Sequence, residues 1–178
     1  IVFPQLAAGG STAKILEVNV SGTATGNGTH YVVIAGRDNI DGSTYAVNIE
    51  EGDSVATITA KITNAINNVL GSPVIASDFG YSSLLTSKWK GLTANELSVR
   101  VDTGDDELGL TYTIENVQNG SGTPSVQAAL DKFGNVWYTI VVNSYGFVST
   151  VLNTLEAFNG IPKDDNPTER YTGIVWKP

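Results

Sequence analysis

A single histidine, His30, and a run of acids, Asp102, Asp105, Asp106 and Glu107 broken by Gly104, are the residues with the clearest capacity for chemistry. A nucleophilic triad needs His30 beside an oriented serine and a buried carboxylate. The chain has no Gly-x-Ser-x-Gly nucleophile elbow, and His30 stands at a strand start beside a turn, where exposure is expected. One histidine and no cysteine exclude disulfides, Cys-ligated zinc, Fe–S and His-rich metal sites. The acids could offer oxygen ligands to calcium, but neither they nor Asp38-Asn39-Ile40-Asp41-Gly42 have the EF-hand spacing. They read as a solvated hairpin end. A carboxylate pair for glycoside hydrolysis also needs a cleft with aromatic platforms. Trp137 and Trp176 lie in apolar strands, as core or interface residues. Trp89, between Lys88 and Lys90, is placed to cover a sheet edge. Gly22–Gly28 is glycine-rich, but it joins two strands and lacks the helix N-terminus and Lys-Ser/Thr ending of a phosphate loop. No catalytic, cofactor-binding or metal-binding residue is therefore assigned, and no enzyme activity or cofactor is expected.

The composition narrows the partners. Net charge is −8 and the pI is near 4.4. That disfavours nucleic acid, whose phosphates need Lys and Arg, and anionic membrane surfaces. Residues 1–90 carry five basic and seven acidic side chains, and residues 91–178 carry five and eleven, so the halves stand at −2 and −6. Hydrophobic residues make up 41%, enough for a real core. No apolar run approaches the roughly 18 residues of a membrane span, and Ile1–Gly10 has no signal-peptide pattern. The chain starts at Ile1 and has no Met, so a piece of a longer subunit is expected. Asn27-Gly28-Thr29 and Asn119-Gly120-Ser121 match glycosylation sequons but read as turn punctuation.

The elements that must carry these residues follow from periodicity. Ile1–Thr12 reads as a connector. In Lys14–Ser21, Leu16, Val18 and Val20 alternate with polar residues, the pattern of a half-buried strand. Thr29–Ala35, with Tyr31 and Val33 on one face, and Thr44–Ile49, with Tyr45, Val47 and Ile49, complete an expected three-strand meander. Asp53 is placed as an N-cap. Val55, Ile58, Ile62, Ile66 and Val69 then mark an amphipathic helix ending near Gly71. Strands are expected at Val74–Ser77, Ser82–Lys88, around Leu97–Val101 and around Leu110–Ile114. Residues 13–118 thus form a β-rich domain with one packed helix, α+β in type.

The pattern changes after the polar boundary Asn119–Thr123. Thr123-Pro124 reads as an N-cap and first-turn pair, with a stripe of Val126, Ala129, Leu130 and Phe133 closed by Gly134. Val136–Val142 is nearly all apolar, as in a parallel sheet covered on both faces. A second helix follows to Phe158, and Thr172–Trp176 begins another apolar strand. Residues 119–178 are read as the beginning of an α/β, parallel-sheet domain, incomplete at its C-terminal end.

Three stretches together resemble the tail sheath proteins of contractile phages, in particular the Mu-like branch. The first is Val18–Ala35, with its Ser-Gly-Thr-Ala-Thr-Gly-Asn-Gly turn and Ile34-Ala35-Gly36 ending, followed by Glu51-Gly52-Asp53-Ser54 opening the Ile-rich helix. The second is Leu84–Val101, whose Leu-Leu-Thr-Ser-Lys-Trp-Lys-Gly-Leu-Thr-Ala-Asn-Glu-Leu departs from the family pattern at Ala94 and Glu96. The third is Val126–Val142, where Thr139 stands in place of the family's Asp. The resemblance covers roughly residues 18–160. It implies an inserted β-rich domain (13–118) plus the start of a core domain (119–178) of a sheath subunit. Such subunits stack as rings around a tail tube and contract to drive penetration. The partners implied are neighbouring sheath subunits, tube and baseplate proteins, in a virion tail assembled in the bacterial cytoplasm. The family's subunit-joining part of the core is expected beyond Pro178. The residues alone leave a second possibility, a non-catalytic carbohydrate- or receptor-binding β domain using Tyr81 and Trp89. A third is a hydrolase built on Asp102–Glu107.

Overall fold

Alternation and helical spacing resolve into a mixed, mainly β protein in the computed structural model. The structure describes residues 10–36, 39–122, 125–133, 149–158, 162–163 and 166–170. The chain divides into two compact units, one of Gly9–Thr123 and the other of Ile1–Ala8 with Pro124–Pro178.

In the first unit the order is β1 (Ala13–Gly22), β2 (Gly28–Gly36), β3 (Asn39–Ile49), α1 (Val55–Asn67), β4 (Val74–Asp78) and β5 (Ser82–Lys90). A 3-10 turn (Leu92–Glu96), β6 (Ser98–Asp102) and β7 (Leu110–Gln118) follow. Two antiparallel sheets result, with strand orders β4-β5-β1-β7 and β3-β2-β6. The expected meander is therefore corrected: β2 and β3 pair, but β1 and β2 lie in different sheets. The connection through residues 23–27 is held by backbone bonds from Thr25 N–H to Leu108 and from Ala24 N–H to Asp53, not by hairpin pairing. Gly22 opens it with a φ of +100°, and any Cβ there would collide with the Gly109 carbonyl oxygen, so glycine is required.

One apolar core holds the unit together. Leu16, Val18 and Val20 of β1 bury the face their alternation predicts, together with Tyr45, Val47 and Ile49 of β3. On β2 the core face is Val32 and Ile34, while Tyr31 is exposed. Ile58, Ile62 and Ile66 of α1 are fully buried. Val69, expected to continue that stripe, falls after the helix end and is half exposed. The helix starts one residue later than the Asp53 cap would have it. Ser54 is the N-cap, its hydroxyl accepting from Thr57 N–H at 3.3 Å. Asp53 is drawn back instead to Glu50 N–H at 2.9 Å and Lys61 Nζ at 2.7 Å.

In the second unit the described elements are α2 (Val126–Leu130), a 3-10 turn (Asp131–Phe133), α3 (Ser149–Phe158), β8 (Pro162–Lys163) and β9 (Asn166–Arg170). Val126, Leu130, Val151 and Leu155 pack together, with Phe158 against them. The N-cap of α2 is Ser125, whose hydroxyl accepts from Ala128 N–H. That replaces the expected Thr123-Pro124 start, whose residues lie outside the described ones. The strands at Val136–Val142 and Thr172–Trp176, on which the parallel sheet rested, also lie outside the described residues. The described pair β8–β9 is antiparallel.

Candidate interaction surface

His30 is not the exposed residue its sequence position implied. It is 2% exposed, because β2 turns it into the space between the strand and the Asp102–Leu110 connection. Its Nε2 lies 3.1 Å from the Asp106 carbonyl oxygen and its Nδ1 2.7 Å from the Tyr112 hydroxyl. A carbonyl can only accept, so in the neutral ring Nε2 carries the proton and Tyr112 O–H donates to Nδ1. The rings meet edge to face, with centroids 5.5 Å apart. Burial pushes the Tyr112 phenol up to about 12. Both ring nitrogens are occupied by structural bonds, so the geometry ties β2 to β7 and leaves His30 no access to a substrate.

The acidic run also serves its own turn. Asp102 Oδ1 accepts from Gly104 N–H at 3.0 Å, and Asp106 Oδ1 accepts from Leu108 N–H at 2.8 Å. Among the described residues no group of three or more His, Asp or Glu side chains is arranged to hold a metal ion. Asp53 is buried beside Lys61. Burial alone would raise its carboxyl, but the Lys61 and Glu50 N–H hydrogen bonds and the Lys61 charge outweigh it and hold it below the usual carboxylate range.

The surface feature with recognisable shape lies at the opposite end of the unit from that turn. A cavity of about 340 Å3 is lined by Ile34, Asn39, Pro73, Trp89, Thr93 and Leu97 among others. Trp89, at the end of β5, is 37% exposed at its wall. Three exposed aliphatic side chains each adjoin a lining residue in the chain: Ile40 beside Asn39, Leu70 beside Gly71 and Leu92 beside Thr93. Leu70 is 96% exposed. Exposed apolar side chains next to a cavity make this end a candidate interaction surface. Trp89 was legible as a surface aromatic, whereas Trp137 and Trp176 lie outside the described residues. The other members went unread because they come from four separate segments. Their available signal was apolar residues set beside turn-forming residue types, Ile40 between Asn39 and Asp41 and Leu70 before Gly71.

The first unit thus has two antiparallel sheets around one core, chemistry-capable side chains engaged in turns, and a cavity at one end. The chain is similar in sequence to a Mu-like phage tail sheath protein. Over 163 residues it is 29% identical to the Mu-like prophage FluMu tail sheath protein of Haemophilus influenzae, a match spanning 90% of this chain and 32% of that protein. The chain thus spans about a third of the length of the curated relative it matches. No family model matches it. Among solved structures, the D2–D3 domains of the flagellar cap protein FliD from Escherichia coli align with a TM-score of 0.36 and 22% identity, over 66% of this chain and 71% of that one. The D2–D3 domains of the Serratia marcescens cap protein align with a TM-score of 0.29 and 15% identity, over 70% and 83%. Likenesses this slight carry no argument.

Proposed function

We propose that this chain is part of the sheath subunit of a contractile phage tail or a related injection machine. The observation that carries the reading is the 29% identity to a tail sheath protein maintained over 90% of the chain. In this reading residues 13–118 are an inserted β-rich domain and 119–178 begin the α/β core domain. The role is structural and needs no catalyst or cofactor. A sheath performs work by exchanging one set of subunit contacts for another, a bistable-interface mechanism. Its partners are neighbouring sheath subunits, the tail tube and the baseplate, in a virion tail assembled in the host cytoplasm. The test is electron microscopy of the full-length subunit under assembly conditions. Helical tubes or stacked rings are the expected result. A full-length subunit that stays monomeric under all those conditions overturns the proposal.

The Trp89 cavity favours a second reading, recognition of a saccharide, since an aromatic wall stands beside Asn39, Ser43 and Thr93. Calorimetric titration with a glycan panel checks it. Binding abolished by Trp89→Ala supports it, and no binding to any glycan removes it.

A further inference from the structure

The β-rich unit carries different charge at its two ends. Strand register defines them: Ala13 faces Lys90 at one end of β1, and Gly22 faces Leu110 at the other. The first end holds Lys14, Lys88 and Lys90 against Asp41 and Glu96, and Lys88 Nζ donates to the Leu70 carbonyl at 3.1 Å. The second end exposes Glu50 and Glu51 after β3, Asp78 at the end of β4 and the acids of the Asp102–Glu107 run. The cations that reach this end are already engaged, Lys61 with Asp53 at 2.7 Å and Arg100 with Asp102 at 3.6 Å. The ten residues of β1 separate the ends by roughly 33 Å. That is about three Debye lengths at 0.1 M salt, so each end presents its own potential.

Exposed apolar groups mark the same two ends. The basic end has the cavity with Trp89 in its wall, and the exposed Ile40, Leu70 and Leu92 are chain neighbours of its lining residues. At the acidic end the β4–β5 turn projects Phe79, 52% exposed, and Tyr81, 63% exposed. Gly80 between them has a φ of +78°, and its N–H is held by Asp78 Oδ1 at 2.9 Å, which fixes an acid at the base of this aromatic tip. One end is an apolar hollow flanked by lysines, the other an aromatic projection flanked by carboxylates.

We infer that the β-rich unit binds head to tail to a second copy of this chain. The Phe79-Gly80-Tyr81 tip of one copy seats in the Trp89 cavity of the next, with Asp78 facing Lys88 and Lys90. Complementary charge and shape on two different surfaces make the contact heterologous. Each association leaves one free tip and one free cavity, and so propagates into a ring or helix. Pairing of two acidic ends is opposed by repulsion. The inference deepens the sheath reading by naming a contact between subunits.

Sedimentation velocity on the 178-residue chain tests it. At about 50 mM salt, mass is expected to grow with protein concentration and to fall back at about 500 mM. The tip variant Phe79→Ser/Tyr81→Ser and the cavity-rim variant Lys88→Glu/Lys90→Glu change exposed side chains, and circular dichroism checks that each stays folded. Each alone is expected to weaken association at least ten-fold. Mixed together, they are expected to form a complex of two chains and nothing larger, since one retains only the cavity and the other only the tip. A wild-type chain that is monomeric throughout, variants that associate like wild type, or a mixture without the two-chain complex overturns the inference. Tubes from the full-length subunit with a monomeric 178-residue chain would remove this contact and leave the sheath reading standing. Association of the chain, with no tubes from the full-length subunit, would do the reverse.

Discussion

The Tyr112 hydroxyl stands 2.7 Å from His30 Nδ1, so that a β7 side chain donates to the one imidazole nitrogen left over by the Asp106 carbonyl. These two residues are 82 positions apart and come from different sheets. The pair therefore closes the unit on the side where β6 passes to β7. Tyr112→Phe keeps the ring and removes only the donor. Chemical unfolding at neutral pH should show a loss of about 1 kcal/mol. The phenol is raised to about 12 from 10.0, so its contribution is fully present below pH 10 and is lost as pH rises through about 12. The gap between wild type and Tyr112→Phe should accordingly narrow across that alkaline range. A gap independent of pH would show that burial does not favour the neutral phenol.

Asp53 and Lys61 supply the opposite pH signature. The Asp53 carboxyl is held below its ordinary value of 3.8, so its contribution is present above that value and lost as pH falls through the lower folded one. Asp53→Asn keeps an acceptor for Glu50 N–H but leaves Lys61 without its close partner. The expected cost is about 1.5–3 kcal/mol at neutral pH. Unfolding curves for the two proteins should converge on acidification, and divergence there would contradict the assignment.

The β1–β7 pairing sets Glu17 directly opposite Glu115 on one face of the sheet. Like charges in that relation are destabilising. Glu17 is fixed by Ser82, whose hydroxyl donates to it at 2.6 Å, whereas Glu115 is exposed. Glu115→Lys should therefore raise stability by about 0.2–1 kcal/mol, and less in high salt. A melting temperature unchanged or lowered at low salt would count against this register.

These relationships separate what the residue order reveals from what it conceals. Alternation located β1 and β3, and 3.6-residue spacing located α1, because each buries one face and leaves the other wet. Strand partners were legible for β2 and β3, which pair as the meander had them, but not for β1, which joins the other sheet. Gly22–Gly28 has the composition of a hairpin turn, but the backbone bond of Thr25 to Leu108 depends on a segment more than 80 residues away. His30 was misjudged for the same reason: its neighbours in sequence are turn residues, while its neighbours in space are Asp106 and Tyr112. The choice of Ser54 over Asp53 as cap turned on Lys61, two helical turns on, which competes for the carboxylate. The Trp89 cavity had no local signature, since Ile34, Pro73 and Leu97 meet only after both sheets have formed.

Asn67 gives the last test, at the free edge of the four-stranded sheet. β4 is an edge strand, and Ala76 turns its amide and carbonyl away from β5. Asn67, the last residue of α1, meets both groups: its Nδ2 donates to Ala76 C=O at 2.9 Å and its Oδ1 accepts from Ala76 N–H at 2.9 Å. A side-chain amide thus stands in for a missing strand and covers an edge that would otherwise invite pairing with other chains. Asn67→Ala leaves two polar groups of a buried residue without partners, at a cost of about 1–3 kcal/mol. Asn67→Asp retains the acceptor but sets a carboxylate oxygen against the Ala76 carbonyl, so it should not restore the loss. Hydrogen exchange reads the Ala76 N–H bond by itself, apart from the total stability. The Ala76 amide should exchange faster than wild type in Asn67→Ala and stay protected in Asn67→Asp. Equal protection of that amide in all three proteins would mean that the strand edge is closed by something other than Asn67.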